Sequence, residues 1–296
     1  MQRPDLTTLA CVNSACQHDG QSGQGNLSIR KVYGRDGIRL WRCRSCQDDF
    51  SERRGTALFN TKLSEAKAID VIDHLDEGCS VCSTARLTKV AKETVARLLK
   101  VSGRHALRFH DQEVHDLTPR ALEFDEQWSF VKKKQKNGAE DERDEAGDVW
   151  DHTAVTADSK LMVSLVVGKR TKDQTHQLVD DAQSRLRAGH LPVLLSDGYE
   201  GYEPAILDAF GRRYPAAKSG LKGGPSNPVI RWPQGLAYGQ VIKSASDGIH
   251  LQVIRGKAKL QHTLSLLGDD KINTSVVERQ NGTSHLHYQR KVMSQD

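Results

Sequence analysis

Leu122-Glu123-Phe124-Asp125-Glu126-Gln127-Trp128-Ser129-Phe130 and Leu191-Pro192-Val193-Leu194-Leu195-Ser196-Asp197-Gly198 are the two stretches on which the fold of this 296-residue chain turns. In the first, Leu122, Phe124, Trp128 and Phe130 recur with period two, the spacing of a strand with one apolar face. Asp125 falls in mid-strand on the opposite face. Glu126 alternates onto the apolar face, where a metal-binding carboxylate is badly placed, so it ranks as a minor candidate only. The second stretch is a short continuous apolar run closed by an acid, as in a fully buried strand.

Working outward, Lys132 to Gly147 is a mixed-charge run that reads as a solvated hairpin loop. Two further strands are expected over Val149 to Thr156 and Leu161 to Val167, joined by the turn Ala157-Asp158-Ser159-Lys160. Thr171 and Gln174 form a capping box opening a helix that buries Leu178, Val179, Ala182 and Leu186. Three antiparallel strands, a helix and a buried strand ending in an acid follow the order of a ribonuclease-H-like α/β domain with a mixed sheet. Phosphodiester cleavage on such a domain uses two divalent cations held by carboxylates that converge from separate elements. Magnesium keeps several waters, so two Asp and one Glu suffice. Asp125 and Asp197 are the first two, with Asp151 a weaker rival. Glu278 is the third, in the first turns of a late helix capped by Asn273 or Thr274.

The N-terminal part carries a different chemistry. Cys11 with Cys16 and Cys43 with Cys46 form two close pairs, the spacing of two thiolate-bearing turns that complete a tetrahedral, structural zinc shell. Apolar residues and arginines around the second pair suit a zinc-ribbon hairpin. His18 is an alternative ligand, because four residues rather than two separate the first pair. Cys79 and Cys82 have no second pair and read as packing residues.

Behind the ribbon, Ala66, Ile69, Ile72 and Leu75 recur at every third position after a Ser64 N-cap. A second helix over Ser80 to Leu87 and a third carrying Val95, Leu98, Leu99 and Val101 complete a helix-turn-helix. Its third helix would present Lys92, Glu93, Thr94 and Arg97 to the major groove of double-stranded DNA, and Lys92, Thr94 and Arg97 are the candidate contacts. Ala91 stands where a polar cap is expected. Charge agrees with a phosphate-rich partner. Residues 1–110 hold 18 Lys/Arg against 12 Asp/Glu, whereas residues 111–296 hold 25 against 26, so the basic excess is entirely N-terminal. No apolar run approaches a membrane span, and Met1 to Leu9 lacks the pattern of a secretory signal. A cytoplasmic, nucleoid-associated protein is expected.

Phe124-Asp125-Glu126-Gln127-Trp128-Ser129-Phe130-Val131, Ser196-Asp197-Gly198-Tyr199-Glu200-Gly201-Tyr202 and Asn273-Thr274-Ser275-Val276-Val277-Glu278-Arg279-Gln280-Asn281 together resemble the three acidic motifs of IS-one-type insertion-sequence transposases. The resemblance runs over nearly the whole chain. It implies a multidomain α+β protein: a zinc ribbon over residues 1–60, a helix-turn-helix domain over 61–115 and a ribonuclease-H-like DDE catalytic domain over 118–296. It also implies catalytic acids Asp125, Asp197 and Glu278 holding magnesium or manganese, binding of terminal inverted repeats, and a homodimer or higher multimer. Two departures stand out. A hairpin is inserted at about 218–270, with strands over Gln240 to Ser244 and His250 to Ile254, and Gly282 is expected to break the last helix in what reads as a truncated tail. The alternative function is therefore a catalytically impaired remnant that binds transposon ends and represses transposition. A structure-selective nuclease such as a resolvase would leave the ribbon and the helix-turn-helix without a role.

Overall fold

A computed structural model of the chain describes residues 9–34, 36–131, 147–214, 229–244, 248–268 and 271–292. The expected loop over 132–146 lies outside them. The chain divides into two units, Met1–His110 and Asp111–Asp296.

In the first unit, β1 (Leu27–Tyr33), β2 (Ile38–Cys43) and β3 (Asp49–Ser51) form an antiparallel sheet in the order β1-β2-β3. Trp41 and Phe50 pair across β2 and β3 and are both buried. Three helices follow: α1 (Glu65–Asp76), α2 (Val81–Thr88) and α3 (Lys92–Glu113). The Ser64 side chain accepts the Lys67 N–H and that of Ser80 accepts the Ser83 N–H, so α1 and α2 each begin on a serine cap. Lys89 adopts left-handed backbone at φ 58°, ending α2 and turning the chain sharply into α3. Where α3 begins, the Ala91 carbonyl accepts the N–H groups of Thr94 and Val95, and the helix runs for 22 residues. The inward face of α1 differs from the expected one. Ala68, Val71 and Leu75 are buried against Val90, Val95 and Leu98, whereas Ile69 is 46% exposed. A three-residue repeat drifts around a helix of 3.6 residues per turn, so of that series only Leu75 falls in the fully buried core.

In the second unit the strands are β4 (Ala121–Val131), β5 (Gly147–Thr156), β6 (Met162–Gly168), β7 (Val193–Asp197), β8 (Arg212–Tyr214), β9 (Val229–Arg231), β10 (Ala237–Ser244) and β11 (Gly248–Arg255). The helices are α4 (Lys172–Ser184), α5 (Tyr202–Phe210), α6 (Lys257–Leu267) and α7 (Ser275–Val292). Six strands form one mixed sheet in the order β11-β10-β7-β4-β5-β6, and β8 pairs with β9 in a separate ribbon. β4, β5 and β6 are an antiparallel meander, and β7 lies parallel to both β4 and β10. Each face of the sheet has its own core. Leu122, Phe124 and Leu194 pack with Leu178 and Val179 of α4 and with Tyr202 and Ile206 of α5. Ala121, Val193, Leu195 and Val241 pack with Leu260 and Leu264 of α6 and with Ile272. A sheet covered on both sides explains the continuous apolar run of β7.

Two expectations at the C-terminal side change. The hairpin of β10 and β11 forms, yet β10 is a full member of the sheet, paired with β7 from Ala237↔Val193 to Val241↔Asp197. Gly239 on β10 admits the covering layer, because a Cβ there would lie 2.8 Å from Leu260 and 2.9 Å from Ile272. Gly282 does not end α7, which runs on to Val292. A single glycine costs about 1 kcal/mol in a helix interior, less than the docking of the first turns supplies.

Candidate functional site

The cysteines of the first unit converge. One ligand atom from each of Cys11, Cys16, Cys43 and Cys46 lies within 4.8 Å of all the others. The Cys11 and Cys46 sulfurs are 3.7 Å apart and those of Cys16 and Cys43 are 3.9 Å apart. These separations are far beyond a disulfide bond. They equal the edges, about 3.8 Å, of a tetrahedron of thiolates around an ion with bonds of about 2.3 Å. Burial opposes ionisation of Cys43, but the Cys46 and Ser45 N–H groups and the Asn26 side chain, 3.2 Å from its sulfur, together bring the thiol down to about 6. Burial pushes Cys11 up to about 12. The four sulfurs are a donor set compatible with a metal ion. His18 stays outside the group, and Cys79 and Cys82 are free, half-buried thiols.

Of the candidate DNA contacts, Lys92 and Arg97 are exposed on the first turns of α3 and Thr94 is half-buried.

In the second unit, β7 stops short. Its pairing with β4 ends at Phe124↔Ser196, while β4 continues to Val131 and β10 to Ser244. A notch therefore opens beyond the carboxyl end of β7, the place where open α/β sheets bind ligands. Asp125 and Glu126 are the first two residues of β4 without a β7 partner, and Asp197 is the last residue of β7. The carboxylates of Asp125, Glu126 and Asp197 come within 4.8 Å of one another. A cavity of about 450 Å³ lies against Asp125 and Asp197 and is lined also by Arg170 and Tyr199. Glu126 does point to the apolar face, as alternation requires. With no β7 residue alongside, its carboxylate meets that of Asp125 around the open edge, so the minor candidate of the sequence joins the compact carboxylate group.

Each carboxylate is held. The Asn281 amide of α7 donates to Asp125 Oδ2 at 2.9 Å, and Thr153 donates to Asn281 Oδ1 at 2.9 Å. The Tyr199 N–H donates to Asp197 Oδ1 at 3.0 Å. Arg170 Nη2 donates to Glu126 Oε2 at 3.1 Å and lies 3.7 Å from Asp197 Oδ2. Burial raises Asp125 to about 6, reinforced by the charges of Asp197 and Glu278 and opposed by Asn281. Burial, with the charge of Asp197, raises Glu126 to about 7. Glu126 Oε1, His152 Nδ1 and Tyr202 Oη are buried beside them with no well-formed hydrogen bond, although the Tyr202 hydroxyl is near enough to Glu126 to oppose the rise of its pKa. His152 Nδ1 is 3.9 Å from Glu126 Oε1, while its Nε2 faces the Lys169 carbonyl at 3.2 Å. Burial pulls the His152 pKa down, which favours the neutral ring. Crowded, partly unsatisfied carboxylates of this kind fit a divalent cation, which supplies the charge they lack.

α7 is fixed by a buried carboxylate on β4. The N–H groups of Val276 and Val277 donate to Glu123 Oε2 at 3.0 and 2.9 Å, and Asn273 Oδ1 accepts the Ser275 N–H. Asn273 thus caps locally, while Glu123 anchors the helix to the sheet. Glu278 accepts the Thr274 hydroxyl at 2.8 Å and is exposed. Among the described residues it stands outside the compact carboxylate group. Asp151 is also outside it, half-buried on β5 between Gln127 and Val167. Sequence reasoning missed Glu123, His152, Arg170 and Tyr202. Only Asn281 carried a signal, three residues after Glu278 and thus on the same helix face.

No protein-family model and no curated protein sequence matches this chain. Among the described residues, no helix is long and apolar enough to cross a membrane. Among solved structures the chain is similar to one in the crystal structure of the Mos1 strand transfer complex, with 13% identity and a TM-score of 0.21. That similarity covers 51% of this chain, which spans 56% of the length of the other.

Proposed function

We propose that this protein is a divalent-metal-dependent DNA strand-cleaving and strand-transferring enzyme of the insertion-sequence transposase type. The observation that carries the reading is the convergence of Asp125, Glu126 and Asp197 at the carboxyl end of β7. The mixed sheet around that point, in the order β6-β5-β4-β7-β10 with β11 added at one edge, supports a ribonuclease-H-like reading of the domain.

In this reading Asp125 and Asp197 hold magnesium or manganese with Glu126 as the third carboxylate. When bound, the cations neutralise the phosphodiester and activate the attacking oxygen. The residues of the chain orient and insulate. Asn281 fixes one oxygen of Asp125, the Tyr199 N–H fixes one of Asp197, and buried His152 and Tyr202 keep water from the back of Glu126. Glu278 lies on the same helix as Asn281, and its charge already bears on Asp125. It is the acid that would complete the site once DNA is bound. Cys11, Cys16, Cys43 and Cys46 would hold a structural zinc, and Lys92, Thr94 and Arg97 of α3 would contact the terminal repeats.

The test is nicking of a labelled duplex carrying the element's terminal repeat, with magnesium or manganese, by this chain and by Asp197→Asn. Cleavage lost in the variant is the expected result. Binding of the duplex by both proteins with cleavage by neither would replace this reading with that of a DNA-binding repressor.

A further inference from the structure

Arg170 is the cation of the carboxylate notch, and its setting differs from that of an ordinary surface ion pair. Its guanidinium lies 4.8 Å from the Trp150 ring centre and 4.5 Å from that of Tyr199. Two aromatic contacts fix the plane of the group and leave its N–H edge free to bond. Nη2 is directed at Glu126 and Asp197, whereas Nε and Nη1 have no protein acceptor among the described residues. The side chain is 36% exposed and lines the cavity. It lies just before Thr171, whose side chain caps α4, so its backbone is anchored.

A guanidinium presents five N–H donors in a fixed fork that matches a phosphate edge. We infer that Arg170 is a substrate-positioning residue with two stations. Without metal it neutralises Glu126 and Asp197; with metal it turns its free donors to a non-bridging oxygen of the DNA phosphodiester. The inference rests on the reading above that this cluster holds divalent cations. Metal and Arg170 then compete for the same carboxylates, while metal and phosphate favour each other.

The experiment uses the full chain, manganese alone, and then dimethyl phosphate as the phosphodiester probe. Manganese affinity is measured by calorimetry, and dimethyl phosphate binding by the relaxation that bound manganese imposes on its phosphorus nucleus. Arg170→Gln is expected to bind manganese a few-fold to about 10-fold more tightly, because a competing charge is gone. The same variant should bind dimethyl phosphate about 10- to 100-fold more weakly. Arg170→Lys keeps the charge but not the fork, so its manganese affinity should stay near the parent value while phosphate is still weakened. Unchanged phosphate binding in Arg170→Gln, with manganese still bound, would overturn the inference. So would a parallel loss of both ligands in the two variants, the mark of a structural brace. A parent protein that binds no manganese, or binds it no better than Asp197→Asn, removes the metal reading itself and this inference with it.

Discussion

Removing the carboxylate of Glu123 should undock α7 and thereby disturb the carboxylate cluster that α7 supports through Asn281. Its Oε2 accepts the N–H groups of Val276 and Val277 at 3.0 and 2.9 Å, and the residue is only 2% exposed. Hydrogen bonds to a charged acceptor contribute roughly 1.5–3 kcal/mol each, and a negative charge at a helix N-terminus adds about 0.3–1 kcal/mol. Glu123→Ala loses both bonds and leaves the buried Val277 N–H and the half-buried Val276 N–H without this acceptor, so a cost of about 3–7 kcal/mol is expected. Glu123→Gln retains one acceptor oxygen without the charge and should cost about half as much. Against a typical stability of about 5–15 kcal/mol the larger loss is conspicuous. Urea unfolding measures the total, and amide exchange at Val276 and Val277 tells whether it is local. The released helix also frees Asn281 from Asp125, so manganese affinity should fall together with amide protection. If Glu123→Ala keeps both amides protected and binds manganese like the parent, the anchoring role is refuted.

Other outcomes follow from the same geometry. In the DNA-free protein Glu126→Gln should weaken manganese binding about 10-fold or more, and Glu278→Gln should leave it within about 3-fold; the reverse order would make Glu278 the third ligand at rest. Burial raises Asp125 from 3.8 to about 6 and Glu126 from 4.5 to about 7, so the folded state holds these protons more tightly than the unfolded chain. Their contribution to metal-free stability is complete below about pH 4 and is lost as pH rises through about 6 and 7, and the Asp125→Asn/Glu126→Gln double variant should remove that dependence from the urea midpoint. A parent and a double variant with identical pH slopes would contradict it. Metal analysis should find about one zinc per chain, and chelation should unfold the ribbon around Trp41 and Phe50, read by tryptophan fluorescence. Ser64→Ala should cost about 1 kcal/mol through the lost cap on α1, and an unchanged urea midpoint would show that the cap contributes nothing.

Where burial and periodicity dominate, the sequence was readable. The alternation of Leu122 and Phe124, the apolar run into Asp197 and the two close cysteine pairs each led to the observed element or cluster. The place of Glu126 in the carboxylate group is hidden from the sequence for a physical reason. Alternation places a side chain on a face, but it does not reveal that pairing with the neighbouring strand stops two residues earlier and leaves an edge around which two faces meet. β10 reads as an insertion in the sequence because parallel pairing with β7 joins segments about forty residues apart and leaves no local trace. The Glu123 anchor was invisible likewise, since its partners lie 153 and 154 positions away.

That distance sets an order of events during synthesis. Asn281, which fixes Asp125, follows it by 156 positions, whereas the ribbon and the first helices precede both. A ribosome making this protein therefore releases the proposed DNA-reading part first, and the carboxylates acquire their last support only when residue 281 has emerged. If the proposed function holds, a growing chain would find DNA well before it could cut it.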